Sequence, residues 1–366
     1  MKKKRVVIAM SGGVDSSVAA ALLLEQGYDV VGVTMNLFSL PKKYCRDENV
    51  KSCCGWGAAE DAHQVALTLG ISHYVIDMRK EFEEKVIANF CAEYEQGRTP
   101  NPCIRCNDLI KFDDLLKRLD TMDADYLSTG HHVRIEYDTK KKRYLLKKGI
   151  DREKDQSYFL YTLTQDQLAC TLMPVGHFTK KHIRKKAQEL NLPAAQRPES
   201  QEICFVPDNN YPRFLREQIP QAFRPGPIFN AEGKNLGQHE GILHFTIGQR
   251  KGMGIAASSP LYVVSIDAEN NTIVAGPNEM LFDDELTASQ LNFISESGLK
   301  ESKTLKVKIR YKHTETDAHV LPVKEDVVRV VFKSPQRAIT PGQAVVFYDG
   351  ETVFGGGIID SPGTIS

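Results

Sequence analysis

The segment SGGVDSS at positions 11–17 restricts the possible folds of this chain more than any other feature of the sequence. It is rich in glycine and serine and lies between an apolar run and a helical pattern. The run 5–10 predicts a buried strand, and 17–26 predicts a helix that ends at Gly27. A loop at this point presents backbone N–H groups at a helix N-terminus, where unpaired donors and the helix dipole favour an anion. The segment therefore predicts a strand–loop–helix unit that binds phosphate.

The loop matches neither of two common nucleotide-binding motifs, GxxxxGKS/T and GxGxxG. In particular, it lacks the lysine of the first motif. That lysine grips the β- and γ-phosphates in enzymes that transfer the γ-phosphoryl group. Glycines and serines alone suit the capture of pyrophosphate as a leaving group, with attack on the α-phosphorus. A glycine-rich turn that only caps a helix is the alternative interpretation.

Strand-like and helix-like patterns alternate over the first two hundred residues, which predicts an α/β domain with a Rossmann-like parallel sheet. Further strands are expected at 29–36, 73–78 and 125–129, and further helices at 58–69, 80–96, 108–119 and 180–190. Beyond about residue 205 the periodicity is two, with strands expected at 261–267, 272–275, 305–312, 327–332, 344–348 and 353–359. We therefore expect an α/β domain over 1–207, a small β-rich domain over 208–279 and a C-terminal β-barrel over 280–366.

The composition is that of a globular protein, with 41% hydrophobic and 26% charged residues, and it excludes an intrinsically disordered chain. No apolar run approaches the ~20 residues that a membrane span needs. The N-terminal apolar stretch is too short for a signal peptide. We therefore expect a cytoplasmic protein with reduced thiols and no membrane partner.

The chain carries 47 Lys and Arg against 47 Asp and Glu, which would ordinarily argue against an RNA partner. The charge is unevenly distributed, because residues 101–200 carry 19 basic and 14 acidic groups, 301–350 carry nine and six, and 251–300 carry two and seven. A strand over 305–312 would place Lys306, Lys308, Arg310 and Lys312 on one face. We expect RNA to lie against the first two segments and away from the third. The basic runs 139–148 and 180–186 are interpreted as solvated surface or as an RNA face.

Two cysteine sites are candidates for covalent chemistry. Cys103 and Cys106 form a C-x-x-C just before the helix expected at 108–119, and a helix N-terminus with nearby cations favours a thiolate. Cys204 lies far away in the sequence. Two separated reactive cysteines on a nucleotide-activating domain suggest that one carries sulfur as a persulfide and the other resolves the product. Cys91 and Cys170 are expected to be core residues.

Metal binding is an alternative use for the cysteines. Cys53 and Cys54, together with Cys103 and Cys106, could bind zinc, although adjacent cysteines are a poor second ligand pair. Cys103, Cys106 and Cys204 could instead hold an iron–sulfur cluster with an open site. Spacing alone does not distinguish these arrangements, nor does it show whether Cys103 or Cys106 is the nucleophile.

Several motifs together resemble one family. SGGVDSS resembles the PP-loop of the ATP pyrophosphatases, which adenylate their substrates and release pyrophosphate. The chain also contains GRTPNPCIRCN (97–107), DYLSTGHH (125–132), KDQSYFLYTL (154–163), EICF (202–205), FTIGQRKGMGI (245–255) and PGQAVVFY (341–348). With these it resembles the tRNA-specific 2-thiouridylases over nearly its whole length. The resemblance implies an N-terminal PP-loop domain of the adenine nucleotide alpha hydrolase type, a small central domain and a C-terminal β-barrel. It also implies ATP-dependent 2-thiolation of the anticodon wobble uridine.

The resemblance also implies roles for individual residues. The ATP phosphates would bind at Ala9, Met10, Ser11, Gly12, Gly13, Val14, Asp15 and Ser16, and Met35 and Gly130 would line the adenosine pocket. Asn101, Pro102 and Cys103 would meet the target base, Cys106 would be the nucleophile, and Cys204 would carry the persulfide. His131, Lys154, Asp155, Gln156, Arg310, Tyr311 and Gln343 would contact tRNA. Some relatives have a carboxylate at the position of Cys103, so this chain has two thiols where those have one.

The implied cosubstrate is ATP with Mg²⁺, and the implied partners are tRNA and a cysteine desulfurase or sulfur-relay protein as persulfide donor. Two other functions remain open from the sequence. One is a PP-loop synthetase that adenylates a small metabolite and adds nitrogen, and the other is a non-catalytic RNA-binding protein built on the β-barrel. Neither of these explains the paired cysteines.

Overall fold

The computed structural model describes residues 2–39, 56–196 and 203–363, and its first part contains a parallel sheet. The strands of this part are β1 (Arg5–Ala9), β2 (Asp29–Asn36), β3 (Ser72–Asp77), β4 (Tyr126–Ser128), β5 (Val133–Asp138), β6 (Arg143–Lys148) and β7 (Thr171–Leu172). The parallel sheet has the order β3-β2-β1-β4-β7. Val6, Val7 and Ile8 of the central strand β1 are fully buried, because helices cover both faces of such a sheet. This confirms the expected Rossmann-like α/β domain.

The helices of the first part connect these strands. They are α1 (Val14–Glu25), α2 (Trp56–Leu69), α3 (Arg79–Phe82), α4 (Ala88–Glu95), α5 (Pro102–Arg105), α6 (Gln165–Ala169) and α7 (Lys180–Glu189). A π-helical turn, Glu83–Ile87, joins α3 to α4, and α5 continues into a π-helical segment, Cys106–Asp114. Short 3₁₀ turns lie at Leu116–Arg118, Asp120–Met122, Ser157–Leu160, Pro174–His177 and Pro193–Gln196. In the described ranges no helix combines the length and apolarity needed to cross a membrane.

The central part is a small mixed sheet. It follows α8 (Tyr211–Gln218) and a 3₁₀ turn, Pro220–Ala222. Its strands are β8 (Gly226–Phe229), β9 (Asn235–His239), β10 (Tyr262–Asp267) and β11 (Thr272–Gly276), in the order β10-β11-β8-β9. The pairing of β10 with β11 is the hairpin expected from the sequence. A 3₁₀ turn, Ile242–His244, precedes the long loop that leads into β10.

The C-terminal part is a closed antiparallel barrel. Its strands are β12 (Phe282–Phe293), β13 (Lys303–Lys308), β14 (Thr316–Lys324), β15 (Val327–Arg337), β16 (Ala344–Asp349) and β17 (Thr352–Pro362), preceded by a 3₁₀ turn, Asn278–Leu281. They follow the order β12-β15-β14-β13-β16-β17, and pairing between β12 and β17 closes the barrel. Closure leaves no exposed sheet edge in the barrel wall. The expected C-terminal β-barrel is confirmed.

The first part and the barrel are tied together by shared hydrogen bonds. The hairpin of β5 and β6 joins the barrel sheet where Lys147 pairs with Thr352 of β17. Buried Tyr158 donates its hydroxyl hydrogen bond to the carbonyl of Ala344 at 2.9 Å. Gln343 donates its amide to the carbonyl of Thr99 at 2.8 Å. The barrel therefore holds the backbone just ahead of the C-x-x-C.

Two expected elements differ from the observed ones. The helix expected at 108–119 begins earlier, because Asn101 caps it through an Oδ1 that accepts the N–H of Ile104 at 3.3 Å and Pro102 takes the first helical position. Cys103 and Cys106 thus lie inside the helical stretch instead of before it. The strand expected over 305–312 ends at Lys308. Arg310 and Lys312 therefore lie outside the strand and do not extend the face that Lys306 and Lys308 share, and Lys306 pairs with Asp317 at 2.8 Å.

Candidate active site

A cavity of ≈ 830 Å³ opens at the carboxyl ends of β1, β2 and β4. Ligands of open α/β sheets bind at this edge, because the loops after neighbouring parallel strands meet there. The wall of the cavity combines the SGGVDSS loop, the start of the cysteine helix, residues 129–132, residues 152–156, residues 203–205, residue 308 and residues 311–313. Segments that are separated by up to three hundred positions in the sequence therefore line one cavity.

The structure brings most of the singled-out residues to this wall. They are Ala9, Met10, Ser11, Gly13, Val14, Asp15, Ser16, Met35, Pro102, Cys103, Cys106, Gly130, His131, Lys154, Asp155, Gln156, Cys204 and Tyr311. Gly12, Asn101, Arg310 and Gln343 are not part of the wall. Arg310 donates to the carbonyl of Arg337, and Gln343 donates to backbone carbonyls beside Pro100. The individual roles of all these residues stay predictions.

Hydrogen bonds of its own serines hold the phosphate loop in shape. The N–H of Ser11 donates to Oγ of Ser16 at 3.2 Å, and that hydroxyl donates to the carbonyl of Gly13 at 3.1 Å. Gly12 has a φ of 66°, a left-handed conformation that glycine adopts without strain. Gly13 occupies the N-cap of α1 and provides no side-chain cap. The first N–H groups of α1 thus lie beside the cavity, ready for an anion.

Asp15 of the loop is held by two partners from distant elements. Its Oδ1 accepts from Nε2 of His132 at 2.9 Å and from Nζ of Lys180 at 2.8 Å, and its Oδ2 accepts from the same Nζ at 2.6 Å. Lys180 begins α7 and is only 7% exposed. Burial alone would raise the pKa of Asp15, but the hydrogen bond from His132 and the charge of Lys180 outweigh it and hold the pKa below its usual value. The loop that lacks a lysine therefore acquires one from another helix.

Lys180 and His132 are not among the site residues predicted from the sequence. Lys180 belongs to a basic run that was interpreted as surface or as an RNA face, and His132 follows the histidine that was singled out. A signal was nevertheless present, because Lys180 follows the N-cap Thr179, whose hydroxyl accepts the N–H of His182 at 3.3 Å. A lysine in the first turn opposes the helix dipole, and such a position calls for an anionic partner.

Gly130 has no room for a side chain. A Cβ at this position would lie 2.5 Å from the backbone nitrogen of Ser16 in the phosphate loop. The turn after β4 and the first turn of α1 are thus in direct backbone contact. This contact fixes how closely the turn after β4 approaches the phosphate loop.

We expect Gly130→Ala to weaken ATP binding by about tenfold to a hundredfold, because overpacking costs about 1–3 kcal/mol and would push the loop away. Gly57→Ala is the matched control, since a Cβ at Gly57 in α2 would meet nothing within 4 Å. Equilibrium binding of ATP and thermal unfolding, measured on both variants, check the prediction. Unchanged ATP affinity in a folded Gly130→Ala variant would contradict it.

The three cysteines singled out from the sequence meet at the cavity. Cys106 is 9% exposed at the start of the π-helical segment, Cys103 is exposed one turn earlier, and Cys204 is half-buried. Phe205 anchors the Cys204 segment, because its ring packs against Phe90 and Phe214 at centroid distances of 5.4 and 5.1 Å. Three cysteine side chains and the phosphate loop therefore line the same cavity.

The other cysteines do not change this picture. Cys91 is buried as expected, whereas Cys170 is only half-buried at the end of α6 and lies outside the apolar core. Cys53 and Cys54, on which the zinc alternative depends, lie outside the described residues, as does Cys45. Within the part of the chain that the structure describes, no three His, Cys, Asp or Glu side chains are arranged to hold a metal ion.

His131 faces the cavity as a neutral side chain. Its Nδ1 lies 2.7 Å from the hydroxyl of Thr129. Burial, and then the charge of Lys111, hold the pKa of His131 well below its usual value. A neutral imidazole can exchange hydrogen bonds with a base edge without adding positive charge.

Cations and aromatic rings line the rest of the wall. The rings of Phe159 and Tyr311 lie 4.4 Å apart. Arg152, Lys154, Lys308 and Lys312 also line the cavity, and Nζ of Lys308 lies 5.7 Å from the centroid of the Tyr311 ring. Aromatic faces bind bases and cations bind phosphates, so this part of the wall has the chemistry of a single-stranded nucleic-acid site.

Comparisons with known proteins agree with this geometry. Family models match residues 4–208 as a tRNA methyl transferase HUP domain, 212–277 as a tRNA methyl transferase PRC-barrel domain, and 283–359 as an aminomethyltransferase β-barrel domain. The chain is 53% identical over 363 residues to the tRNA-specific 2-thiouridylase MnmA of Acetivibrio thermocellus, covering 98% of this chain and 100% of that protein. The chain belongs to the tRNA-specific 2-thiouridylase family.

Other members of the 2-thiouridylase family are similar over the same length. The MnmA 1 protein of Caldanaerobacter subterraneus subsp. tengcongensis is 52% identical over 356 residues, and the MnmA protein of Halothermothrix orenii is 50% identical over 355 residues. Each alignment covers 97% of this chain and 98% of the relative. A solved 4-thiouridine synthetase in complex with RNA and ATP is 18% identical, with a TM-score of 0.35 over 60% of this chain and 51% of that one, which is too distant to bear on function. The boundaries expected at 207/208 and 279/280 stay predictions.

Proposed function

We propose that this protein catalyses the ATP-dependent 2-thiolation of the wobble uridine in tRNA anticodons. One observation carries the proposal: the phosphate loop and the thiols of Cys106 and Cys204 line the same cavity. An adenylating enzyme without sulfur chemistry has no use for two thiols beside its nucleotide. A sulfur carrier without adenylation has no use for the loop.

The first step is activation of the base by ATP. The C2 oxygen of the uracil attacks the α-phosphorus, the bond to the β-phosphate oxygen breaks, and pyrophosphate leaves. The N–H groups at the start of α1 and the ammonium of Lys180 receive the charge of the leaving group. Neutral His131 and the ring of Phe159, which line the cavity, would position the base. The product of this step is an O-adenylated uracil.

The second step is sulfur transfer. The terminal sulfur of a Cys204 persulfide attacks C2 of the base and displaces AMP. The thiolate of Cys106 then attacks the Cys204 sulfur, which releases the 2-thio base and leaves a disulfide between the two cysteines. Alternatively Cys106 attacks the persulfide first, and the released sulfide displaces AMP. Either route ends with the same disulfide, which a thiol reductant must reopen with two electrons.

Mg²⁺ is proposed to enter with the nucleotide. The described residues offer no set of three protein ligands, and both oxygens of Asp15 are already hydrogen-bonded. This fits Mg²⁺ in nucleotide sites, which is held largely by phosphate oxygens and water. Bound in this way, it would neutralise charge on the departing pyrophosphate.

The proposed partners follow from the chemistry. A cysteine desulfurase or a sulfur-relay protein must supply the persulfide, and a reducing compartment such as the cytoplasm must supply thiols. An iron–sulfur cluster on Cys103, Cys106 and Cys204 is the competing use of the same three side chains. Iron and sulfide analysis after anaerobic purification separates the two, because the persulfide route needs neither iron nor acid-labile sulfide.

The decisive measurement is release of pyrophosphate with and without unmodified tRNA. We expect release to depend on tRNA, and we expect 2-thiouridine in the tRNA when a persulfide donor is present. The names of the family models suggest methyl transfer, which would require a methyl donor and no ATP cleavage. Pyrophosphate release driven by a small metabolite would favour the synthetase alternative, and tRNA binding without ATP cleavage would favour a non-catalytic RNA-binding protein. Either result would contradict the proposal.

A further inference from the structure

The segment 151–156 (DREKDQ) is hydrogen-bonded to both residues that hold the carboxylate of the phosphate loop. We propose that Gln156 and Asp151 are positioning residues of the nucleotide site, which act through His132 and Lys180. The inference rests on the proposed function, because it takes ATP as the ligand. It goes beyond that function by giving Gln156, for which the family resemblance implies contact with tRNA, a part in phosphate binding that needs no RNA.

Gln156 binds both backbone groups of His132. Its Oε1 accepts the N–H of His132 at 2.9 Å, and its own N–H donates to the carbonyl of His132 at 3.3 Å. Gly149 packs against the same carbonyl so closely that a Cβ there would lie 2.6 Å from the oxygen. His132 is 3% exposed, so an N–H that lost its acceptor would be left buried and unpaired.

The imidazole of His132 depends on this backbone contact for its orientation. Nε2 donates to Oδ1 of Asp15 at 2.9 Å, whereas Nδ1 is buried and has no hydrogen-bond partner among the described residues. A histidine ring is ordinarily oriented by a hydrogen bond at its second nitrogen. Without that bond, the position of the ring depends on the backbone that Gln156 holds. Gln156 therefore positions the hydrogen bond that Asp15 receives from His132.

Asp151 holds the second partner of the loop carboxylate. Its Oδ2 accepts the N–H of Lys180 at 2.9 Å, and its Oδ1 accepts the N–H of Glu153 at 3.2 Å. Lys180 is the first residue of α7, where a backbone N–H has no partner within the helix and a nearby carboxylate is favourable. The bond thus fixes the backbone from which the side chain of Lys180 reaches Asp15.

Internal hydrogen bonds hold the segment itself in one shape. Oδ1 of Asp155 accepts the N–H groups of Gly149 and Ser157 at 3.0 and 3.2 Å, and Oδ2 accepts the hydroxyl of Ser157 at 2.7 Å. Asp155 is only 8% exposed. The N–H of Lys154 donates to the carbonyl of Asp151 at 3.1 Å. The two positioning residues therefore belong to one hydrogen-bonded turn.

Both sets of contacts end at Asp15, which lies in the first turn of α1. The N–H groups of this turn are the ones that we expect to bind the ATP phosphates. If His132 or Lys180 shifts, these N–H groups lose their support and the carboxylate is free to approach and repel the phosphates. Adenosine carries no phosphate, so its binding should not depend on these contacts.

The test is equilibrium binding of ATP and of adenosine to Gln156→Met, whose side chain is of similar length but has no oxygen to accept the N–H of His132. We expect the affinity for ATP to fall about tenfold and that for adenosine to stay the same. Gln165→Met is the matched control, because Oε1 of Gln165 accepts the N–H of Tyr144 at 2.8 Å and neither residue lines the cavity. This control loses the same kind of bond and should bind ATP as the wild type does.

Two further comparisons show through which contact each residue acts. Asp151→Ala removes the acceptor for Lys180 and should also weaken ATP binding, whereas Asp151→Asn keeps a side-chain oxygen and should recover most of the affinity. In an Asp15→Ala background, Gln156→Met should have no additional effect on ATP affinity, because two changes in one chain of contacts are not additive.

The inference is overturned if Gln156→Met and Asp151→Ala are folded, as judged by thermal unfolding, and bind ATP like the wild type. It is also overturned if Gln156→Met loses affinity for tRNA but not for ATP, since Gln156 would then be an RNA contact, or if Gln165→Met weakens ATP binding equally. Should Gln156→Met not fold, Asp151→Ala against Asp151→Asn decides. A wild-type protein that binds no ATP contradicts the proposed function first, so the two failures are distinguishable.

Discussion

Replacing Cys106 by serine is expected to abolish sulfur transfer while tRNA-dependent release of pyrophosphate continues. The adenylation step uses the phosphate loop and needs no thiol, whereas the resolving step needs a thiolate. Loss of a nucleophile costs roughly a thousandfold or more in rate, because a serine hydroxyl is not ionised at neutral pH. The protein should therefore cleave ATP without forming 2-thiouridine.

A matching change at Cys204 separates the two thiol roles. In Cys106→Ser, Cys204 should still accept sulfur from a donor, and mass spectrometry of the protein should show one additional sulfur atom. In Cys204→Ser no such persulfide should form. Cys170→Ser is the control, because Cys170 is half-buried at the end of α6 and does not line the cavity. Its thiolation rate should match that of the wild type.

The results that contradict this assignment are specific. If Cys106→Ser retains full thiolation and Cys103→Ser loses it, the resolving thiol is Cys103, which lies one turn earlier on the same wall. If Cys106→Ser and Cys204→Ser both retain full thiolation, no disulfide between these residues is needed and the persulfide scheme is wrong. If pyrophosphate release is lost together with thiolation in Cys106→Ser, the two steps are not separable in the way proposed.

The fold could be predicted from local sequence wherever the burial of a strand produced a simple pattern of apolar residues. The strand expected at 29–36 coincides with β2, because a central parallel strand is buried on both faces and reads as one apolar run. The barrel was predicted from period-two patterns, as at 327–332, where Val328, Val330 and Phe332 of β15 lie in the core. The hairpin of β5 and β6 was not predicted, because the basic residues of its turn and of β6 were interpreted as surface. The turn also lacks a glycine signal, since Lys142 itself takes the positive φ of 50°.

The site was predictable in its motifs but not in its contacts. The sequence identified the phosphate loop and the cysteines, since each carries its chemistry within a few residues. It could not show that Lys180 lies 2.6 Å from Asp15, because 165 positions separate them. The earlier start of the cysteine helix could, however, have been predicted from the sequence. Asn101 followed by Pro102 is a local signal for an N-cap and a first helical turn.

The contact between Lys180 and Asp15 gives the second large effect that we expect. A buried ion pair costs desolvation energy and is weak evidence for stability, so its position beside the phosphate loop needs another reason. The leaving pyrophosphate adds negative charge next to the loop, whose own donors are N–H and hydroxyl groups. Lys180 lines the same cavity and can supply the missing cation at that moment.

Lys180→Met is therefore expected to lower tRNA-dependent pyrophosphate release by about a hundredfold to a thousandfold, measured as kcat/KM for ATP. Lys180→Arg keeps the charge and should recover part of the loss. The control is Lys185→Met on the same helix, whose side chain is 75% exposed and pairs with Glu189. We expect that variant to behave as the wild type.

A double variant decides how Lys180 acts. In Lys180→Met the carboxylate of Asp15 loses its cation and could repel the phosphates, whereas Asp15→Asn/Lys180→Met removes that charge as well. If Lys180 itself stabilises the leaving group, the double variant stays as slow as Lys180→Met. If it only neutralises Asp15, the double variant regains activity and the direct role is wrong. Thermal unfolding of each variant separates both results from a loss of folding.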